Sequence, residues 1–327
     1  MYYDEKLDYN APMISTRDAY GEALNLLANE VKNLVVLDAD LSSATKTIKF
    51  REKYPDRHIN CGIAEANMTG VAAGLALSGF IPVISSFAMF VTGRNYEQIR
   101  NSICYPHLNV KIIATHAGIT VGEDGATHQC NEDIALMRAI PGMTVVVPCD
   151  KNETICLVRD AIQNYVGPVY IRLGRAPVRL IHKIFPDKDF KIGKGIKILE
   201  GNDITIIATG LGVSIAQDIY VLLREHGIYA DVINIHTIKP IDNEIIISSA
   251  KKTRKVVTIE EHSIIGGLGD AVADILVKNN YAKLLKMGVN DYFGFSGDKD
   301  ELLRKFVLHS HSMLRKIKDF FYMDFDI

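Results

Sequence analysis

Runs of hydrophobic residues alternate with amphipathic stretches along the chain. Short runs rich in Val and Ile, without in/out alternation, occupy residues 33–40, 81–87, 109–116, 143–148 and 168–174. Such runs are typical of parallel strands that are buried on both faces of a sheet. Between them, helical spacing of apolar side chains predicts helices over residues 16–30, 95–105 and 150–165. The stretch 64–79 is small or apolar almost throughout, which predicts a helix buried on nearly all sides.

A second series of strands and helices follows residues 174–198, where prolines, glycines and basic residues are typical of a surface linker. It predicts strands at 203–210, 230–242 and 255–262 and helices at 213–226, 243–251 and 266–280. We therefore predict an α/β protein with two doubly wound domains, a mostly parallel first domain over residues 1–185 and a second over 186–327. The aromatic and acidic tail, residues 313–327, is expected to pack on the body or on a partner.

Composition and charge narrow the class of protein. The 327 residues are 48% hydrophobic and carry a net charge of −2, so the chain can form a sizeable core and has no strong field for nucleic acid or an anionic membrane. No apolar run has the length of a membrane helix, and the N-terminus lacks the apolar core of a signal peptide. Five cysteines without a C-x-x-C pair favour small buried hydrophobes in a reducing compartment over a disulfide or zinc framework. We expect a cytoplasmic protein without nucleic-acid or membrane partners.

Two features near the predicted 64–79 helix could carry chemistry. Glu65 is the acidic residue at the start of that apolar helix, and a buried carboxylate costs several kcal/mol unless it is paired. The alternative is a first-turn glutamate favoured by the helix dipole. Phe87 and Phe90 lie three residues apart after a predicted strand, either as core packing or as a slot for a flat heteroaromatic ring.

The segment "HAGITVGEDGATHQ", residues 116–129, follows a predicted strand at its carboxyl end, where open α/β sheets bind ligands. His116, Asp124 and His128 are crowded by glycines there. Histidine can hydrogen-bond hydroxyls or move protons near neutral pH, so the segment predicts a polar site. Metal binding is not favoured because H-x-x-x-H and H-E-x-x-H spacings are absent from the sequence.

Two further groups could bind anions. One comprises three arginines near predicted element ends, which suit bidentate phosphate binding or are solvated surface charges: Arg17, Arg172 and Arg175. The other comprises three glycines at a predicted helix start, which could bind an anion or allow close packing across a subunit interface: Gly266, Gly267 and Gly269.

Six segments occur in order and with natural spacing: "STRDAYGEAL", "VLDADLS", "GIAEANMTGVAAGLALSG", "SSFAMF", "THAGITVGEDGATHQ" and "YIRLGR". Together they resemble the second half of a transketolase, which comprises a pyrimidine-binding domain and a C-terminal domain. The resemblance runs from about Thr16 to Glu261. The string "THAGITVGEDGATHQC" is typical of transketolases rather than of deoxyxylulose-phosphate synthases or of the β subunits of 2-oxo-acid dehydrogenases.

The resemblance implies residues that bind thiamine diphosphate. Glu65 resembles the catalytic glutamate that hydrogen-bonds N1′ of the aminopyrimidine, and Phe87 and Phe90 resemble the aromatics that stack on that ring. Asp40 resembles an acid near the cofactor at the subunit interface. Gly93 stands where many members have a third aromatic residue, so the ring slot departs from the family pattern.

The resemblance also implies residues that bind the sugar phosphate. His116 and His128 resemble histidines that contact the sugar during catalysis, and Asp124 resembles the acid that reads a donor hydroxyl. Arg17 and Arg175 match arginines that hold the phosphate. A serine that binds phosphate in some members is Ala44 here, so the phosphate contacts also depart from the pattern.

Family members hold the diphosphate through Mg²⁺ with a G-D-G motif and a later asparagine, and this sequence contains no G-D-G. The resemblance therefore implies the C-terminal subunit of a split transketolase, without metal ligands of its own. A separate N-terminal subunit would hold Mg²⁺ and share thiamine diphosphate with it in an α₂β₂ assembly. The implied reaction transfers a two-carbon ketol unit between sugar phosphates, as in the pentose phosphate pathway.

Three alternatives stay open at this point. The chain could be a subunit like a 1-deoxyxylulose-5-phosphate synthase or the E1 β chain of a 2-oxo-acid dehydrogenase. It could be a non-catalytic scaffold subunit of the same fold. A standalone nucleotide-binding protein is disfavoured, because neither G-x-G-x-x-G nor a P-loop follows a predicted strand.

Overall fold

The computed structural model describes residue 8 and residues 10–182, 190–278 and 281–322. The strands are β1 Met13–Ser15, β2 Leu34–Asp38, β3 His58–Asn60, β4 Ile81–Phe87, β5 Lys111–Thr115, β6 Thr144–Val146, β7 Val169–Arg172, β8 Pro177–Arg179, β9 Ile196–Leu199, β10 Ile204–Ala208, β11 Ala230–Asn234, β12 Thr237–Lys239, β13 Lys255–Ser263 and β14 Lys283–Val289.

The α-helices are α1 Thr16–Glu30, α2 Ser42–Thr45, α3 Ile48–Lys53, α4 Glu65–Leu77, α5 Ala88–Gly93, α6 Tyr96–Gln98, α7 Asp133–Ala139, α8 Lys151–Gln163, α9 Gly212–Glu225, α10 Asn243–Thr253, α11 Leu268–Val277, α12 Lys299–Lys305 and α13 Ser310–Phe321. Short 3₁₀ helices lie at Pro55–Arg57 and Ile119–Asp124, and a π-helical turn at Ile99–Cys104 continues α6.

The first sheet has the strand order β12-β6-β7-β5-β4-β2-β3. All of its neighbours pair in parallel except β12, which is antiparallel to β6. Every residue of β2, β5 and β7 is buried, as expected for strands covered by helices on both faces. The mostly parallel first sheet predicted from the sequence is confirmed.

The second sheet has the order β14-β13-β10-β11-β9, in which only β9 is antiparallel. The stretch 230–242 was predicted as one strand, and this is wrong. It divides into β11 in the second sheet and β12 in the first, because the chain crosses between the sheets at Ile235 and His236. Two backbone bonds mark the crossing: Ile235 N donates to Ala208 O and Val147 N donates to His236 O.

Parts of the predicted linker are ordered strands. β8 pairs with β1, and β9 is the edge strand of the second sheet. The predicted domain boundary between residues 185 and 186 lies outside the described residues and stays a prediction. At the other end, α13 buries Met313, Leu314 and Ile317 and packs on α9, whereas residues 323–327 are not described.

Helix α4 departs from the sequence prediction. One face packs on β4 and β2, but Ala66, Gly70 and Gly74 on the other face are exposed, and Leu77 is 75% exposed. The prediction of burial on nearly all sides is therefore wrong for the single chain, because no other element of the described residues covers this face. The apolar composition of a helix indicates that it is buried, but not whether the same chain or another chain covers it.

Arg172 and the three glycines near α11 serve the interior of this chain. Arg172 is buried and paired with Asp133 at 2.8 Å, and it donates to the Glu261 carbonyl at 2.8 Å. It is therefore an internal tie between the two sheets rather than a phosphate ligand. At the start of α11, Leu268 N and Gly269 N donate to the Glu260 carboxylate at 2.7 and 2.8 Å.

The anion at this helix start is therefore Glu260, which belongs to the chain itself. A Cβ added at Gly266 would lie 2.6 Å from the Ala135 Cβ, and one at Gly267 would lie 2.0 Å from Glu260 Oε2. These glycines thus allow close packing within the chain, whereas the packing across a subunit interface that the sequence suggested stays a prediction. In the part of the chain that the structure describes, no helix combines the length and apolar character needed to cross a membrane.

Candidate active site

The candidate residues converge because two neighbouring parallel strands end side by side. Strand β4 ends at Phe87 and β5 at Thr115, and these two residues are register partners. Helix α5, which carries Phe90, begins directly after β4, and His116 follows β5. The carboxyl edge of the sheet thus gathers Phe87, Phe90 and His116, as the strand-end rule predicts.

These rings form an aromatic slot, defined here by Phe87, Phe90, His116 and His128. The Phe87 and Phe90 rings are stacked with centroids 5.7 Å apart, and Phe87 stacks on His116 at 3.8 Å. The His128 ring meets Phe90 edge-on at 5.3 Å. Phe87 is buried, whereas Phe90 is half-buried, so one face of the slot is accessible.

Glu65 opens α4 and is 3% exposed. Its carboxylate accepts two hydrogen bonds from Arg94 Nη1, at 3.0 and 3.2 Å. The Arg94 guanidinium carbon lies 4.2 Å from the Phe90 ring centroid, within cation–π range. A flat N–H donor therefore lies on the slot and binds the buried carboxylate at the same time.

Arg94 was not identified from the sequence. The available signal was its position four residues after Phe90, a spacing that places two side chains on one helix face. Its bond to Glu65 joins residues 29 positions apart, and that pairing depends on how α4 packs beside α5.

His116 is held in a strained and well-defined state. Its backbone is left-handed, with φ of 59°, which is uncommon for a residue with a side chain. Nδ1 lies 2.8 Å from Thr115 Oγ1, and Nε2 lies 3.1 Å from Arg17 Nη1. Because arginine only donates, we assign Nε2 as the acceptor and Nδ1–H as a donor to Thr115. Burial, and then the charges of Arg17 and Arg175, lower the pKa of His116 to about 3, so the ring is neutral at physiological pH.

The polar rim of the site contains the remaining candidates. Arg17 also donates to the Ala44 carbonyl at 3.1 Å, and burial lowers its pKa, as does nearby Arg175. Arg175 Nη1 lies 3.6 Å from Asp124 Oδ2. Two arginines and an acid thus face the slot from one side, an arrangement suited to a phosphorylated polyol.

The loop that carries Asp124 and His128 depends on glycine. Gly118, Gly122 and Gly125 have φ of 79°, 86° and 77°, the left-handed region that only glycine enters without strain. At Gly118 an added Cβ would lie 2.4 Å from Glu261 Oε1. The glycine spacing therefore lets the loop pack directly against the second domain.

Asp40 lies outside this group of contacts. It is exposed with φ of 64°, and its carboxylate accepts a hydrogen bond from Asn60 Nδ2 at 3.0 Å. Within the described part of the chain, its recorded side-chain contact is with Asn60 and not with Glu65 or the slot. Its assignment near a cofactor stays a prediction.

A cleft of about 530 Å³ opens beside the slot, between the two domains. Met89 and Thr127 line it from the first domain, and residues 290–294 line it from the second. Gln129 closes its floor, where Nε2 donates to the Phe295 carbonyl at 3.0 Å.

Comparison with known proteins identifies both halves of the chain. Residues 12–179 match the family model of the transketolase pyrimidine-binding domain, and residues 193–313 match that of the transketolase C-terminal domain. The first match contains all of the candidate residues described above. The two matches lie on either side of residues 180–192, in the middle of the predicted linker.

Curated relatives agree with these matches. A Methanocaldococcus jannaschii protein, provisionally named transketolase C-terminal section, is 51% identical over 305 residues, covering 93% of this chain and 95% of that protein. The 6-deoxy-6-sulfo-D-fructose transketolase subunit of Clostridium sp. (strain MSTE9) is 43% identical over 299 residues, covering 91% and 92% of the two chains.

A solved structure agrees as well. It is described as a split gene transketolase, inactive β4 tetramer, and superposes with a TM-score of 0.86 at 48% identity, covering 94% of this chain and 98% of that one. Both the sequence and the arrangement of the two sheets are therefore those of known transketolase proteins. The chain belongs to the transketolase family and carries its pyrimidine-binding and C-terminal domains.

Proposed function

We propose that this chain is the C-terminal subunit of a thiamine-diphosphate-dependent transketolase that transfers a two-carbon ketol unit between sugar phosphates. The observation that carries the proposal is the buried Glu65 carboxylate. It is hydrogen-bonded to Arg94, whose flat guanidinium lies over the Phe90 ring of the aromatic slot. Relatives of nearly the same length are named as transketolase subunits or sections. A cytoplasmic location is part of the proposal.

The slot suits an aminopyrimidine ring. Arg94 already combines the two interactions that such a ring needs, a flat group over Phe90 and an N–H donor toward Glu65. Phe90 is half-buried, and a ring of this size would take the place of the Arg94 guanidinium over it. When bound, thiamine diphosphate supplies the carbanion stabilisation that ketol transfer requires.

Glu65, Phe87 and Phe90 would hold the ring. Glu65 would share a proton with the ring nitrogen, and burial would keep water from competing for that hydrogen bond. Arg94 has to release Glu65 as the ring enters. Because its side chain is 52% exposed, it can turn into solvent at small cost.

The rim residues would bind the sugar phosphate. His116 is neutral, so its Nε2 can accept a hydrogen bond from a sugar hydroxyl once Arg17 turns from it to a phosphate. His128 presents a half-buried ring on the opposite edge of the slot. Asp124 is placed to accept from a sugar hydroxyl, and Arg17 and Arg175 to bind the phosphate.

A partner chain completes the proposal. The small-residue face of α4 is exposed. Apart from the backbone of α4 itself and the neighbouring residues, no heavy atom of the described residues lies within 4 Å of a Cβ added at Gly70 or Gly74, so a helix could approach them closely. We propose that a separate N-terminal subunit supplies the diphosphate and Mg²⁺ site and that the two chains form an α₂β₂ assembly. Glu65, next to that face, would then lie at the shared site.

The test is a two-chain assay with Glu65→Gln. With the partner chain, thiamine diphosphate and Mg²⁺, we expect ketol transfer between sugar phosphates to fall by about 10²–10⁴-fold, the usual contribution of a positioned proton-transfer group. Glu225→Gln, an exposed acid at the end of α9, is the matched control and should retain full activity.

The other outcomes separate the alternatives. Unchanged ketol transfer in Glu65→Gln would overturn the assignment of this residue. Decarboxylation of pyruvate without ketol transfer would favour a deoxyxylulose-phosphate-synthase-like or 2-oxo-acid dehydrogenase-like subunit. Absence of both reactions in the assembled wild-type complex would favour a scaffold subunit.

A further inference from the structure

A second group of reactive side chains lies between the end of β6 and the start of α8 and shares no residue with the proposed active site. Cys149 precedes α8, Glu153 is in its first turn, and His182 lies beyond β8. The Cys149 sulfur, a Glu153 carboxylate oxygen and a His182 ring nitrogen all lie within 4.8 Å of one another. Cys149 and Glu153 are 1% and 0% exposed, and the His182 side chain is 13% exposed.

Helix capping accounts for part of this arrangement. Asp150 caps α8 by accepting from Glu153 N at 2.8 Å, and it also accepts from the backbone N–H groups of Ile181 and His182 at 2.8 and 2.7 Å. Glu153 Oε2 in turn accepts from Cys149 N at 2.7 Å, so the acids form a variant of the capping box. None of these bonds uses the Cys149 sulfur or the His182 ring.

The capping bonds do not involve every polar side-chain atom of this group. Among the described residues, His182 Nε2 is buried without a hydrogen-bond partner, and it lies 3.9 Å from Glu153 Oε1. The charge of Glu153 also reaches His236, whose buried Nε2 has no hydrogen-bond partner in the part of the chain that the structure describes. Buried polar atoms are normally satisfied, and an exception points to something that fills the site.

We propose that Cys149, Glu153 and His182 bind a zinc ion. Thiolate, imidazole and carboxylate are the three ligand types that zinc takes in proteins, and softer or harder metals prefer more uniform sets. A thiolate and a carboxylate balance the charge of Zn²⁺, and the thiol proton passes to solvent when the metal binds. The ion would tie the segment after β8 to the start of α8.

Asn234, at the end of β11, supports the ligands from the second sheet. Its Nδ2 donates to Glu153 Oε1 at 2.7 Å and lies 3.5 Å from the Cys149 sulfur. Such outer partners orient metal ligands, and their loss typically weakens binding 10–100-fold. All three proposed ligands thus lie in the first domain, and the second sheet contributes the hydrogen bond from Asn234 that orients Glu153.

These ligands could not be found as a zinc motif in the sequence, because they do not follow a C-x-x-C or H-x-x-x-H spacing. Cys149 and Glu153 are four residues apart, and His182 follows 29 residues later. The proposal therefore revises the expectation that the chain has no metal ligands. It does not rest on the proposed transketolase activity, and its test needs no partner chain or substrate.

The test uses the full chain without an affinity tag, produced in zinc-supplemented medium and dialysed. We expect one zinc per chain by elemental analysis, and a sulfur-to-cobalt charge-transfer band after replacement with Co²⁺. Cys149→Ser and His182→Ala should each weaken zinc binding by at least about 100-fold, and Asn234→Ala by about 10–100-fold. Cys104→Ser, which alters another buried cysteine, should bind zinc like the wild type.

Two results would overturn the proposal. One is wild-type protein that contains no zinc and shows no charge-transfer band with Co²⁺. The other is unchanged zinc affinity in Cys149→Ser and His182→Ala. If those variants do not fold, the cobalt spectrum decides, since that band requires a metal-bound thiolate. Serine variants of the other four cysteines, Cys61, Cys104, Cys130 and Cys156, should then all keep the band, and its loss in any one of them would overturn the proposal.

Discussion

The pair between Glu65 and Arg94 makes an asymmetric prediction about stability. Arg94→Ala leaves a carboxylate that is 3% exposed without its cation, whereas Glu65→Gln leaves a guanidinium that is 52% exposed. Removing one partner of a fully buried pair costs about 3–5 kcal/mol. Since water reaches Arg94, we expect about 1–3 kcal/mol for Arg94→Ala and about 1 kcal/mol or less for Glu65→Gln.

Urea denaturation of the wild type, both single variants and the double variant measures this asymmetry as a double-mutant cycle. The coupling energy should be at least about 0.5 kcal/mol, because the residues are in direct contact. Arg100→Ala is the control: Arg100 is exposed and donates to the Asn101 side chain, so its loss should change stability by about 0.5 kcal/mol or less.

Equal effects of Arg94→Ala and Arg100→Ala would refute this reasoning. So would a larger loss in Glu65→Gln than in Arg94→Ala. Either result would mean that the Glu65 carboxylate is solvated in the cofactor-free chain and that Arg94 does not occupy the place of a ring.

Three further predictions concern other parts of the molecule. Burial raises the pKa of Glu260 from 4.5 to about 7, so the stability that the wild type has relative to Glu260→Gln is fully present below pH 4.5. It should fall by about 3 kcal/mol as pH rises through about 7, and urea titrations that show no pH dependence of the difference would contradict this. Gly74→Ala should stabilise the isolated chain by about 0.5–1 kcal/mol, whereas Gly74→Leu should weaken assembly in sedimentation; assembly equal to the wild type would argue against an interface there. Arg172→Met leaves Asp133 buried without its cation and should cost about 3–5 kcal/mol in urea denaturation, and a loss below about 1 kcal/mol would contradict its role as an internal tie.

The sequence predicted those parts of the fold that depend on local pattern. Strand β4 and helix α1 have the predicted bounds, because each is a continuous apolar run or an amphipathic stripe with a clear end. The sequence pattern did not separate β12 from β11. It does not show that the chain leaves the second sheet after β11 and joins the edge of the first sheet as β12. β14 and α12 were not predicted, because partly exposed elements near the C-terminus give weaker patterns.

The candidate site was predicted in part for a physical reason. Phe87, Phe90 and His116 follow the ends of neighbouring parallel strands, so a simple rule brings them together. Arg94 was not found, because an arginine in a polar stretch is usually a solvated charge and its partner is set by helix packing. The bare face of α4 was not foreseen, because apolar composition demands burial without naming the covering chain.

The position of strand β12 determines where this protein can be cut into fragments. It is contributed by the second half of the chain, yet it closes the edge of the first sheet against β6. A fragment that ends in the linker would lack β12, so the backbone groups on that side of β6 would be unpaired. An exposed strand edge of this kind pairs with strands of other molecules and promotes aggregation. The boundary visible in the sequence is therefore no place to cut, and gene fusions or truncations should keep residues 237–239 with the first half.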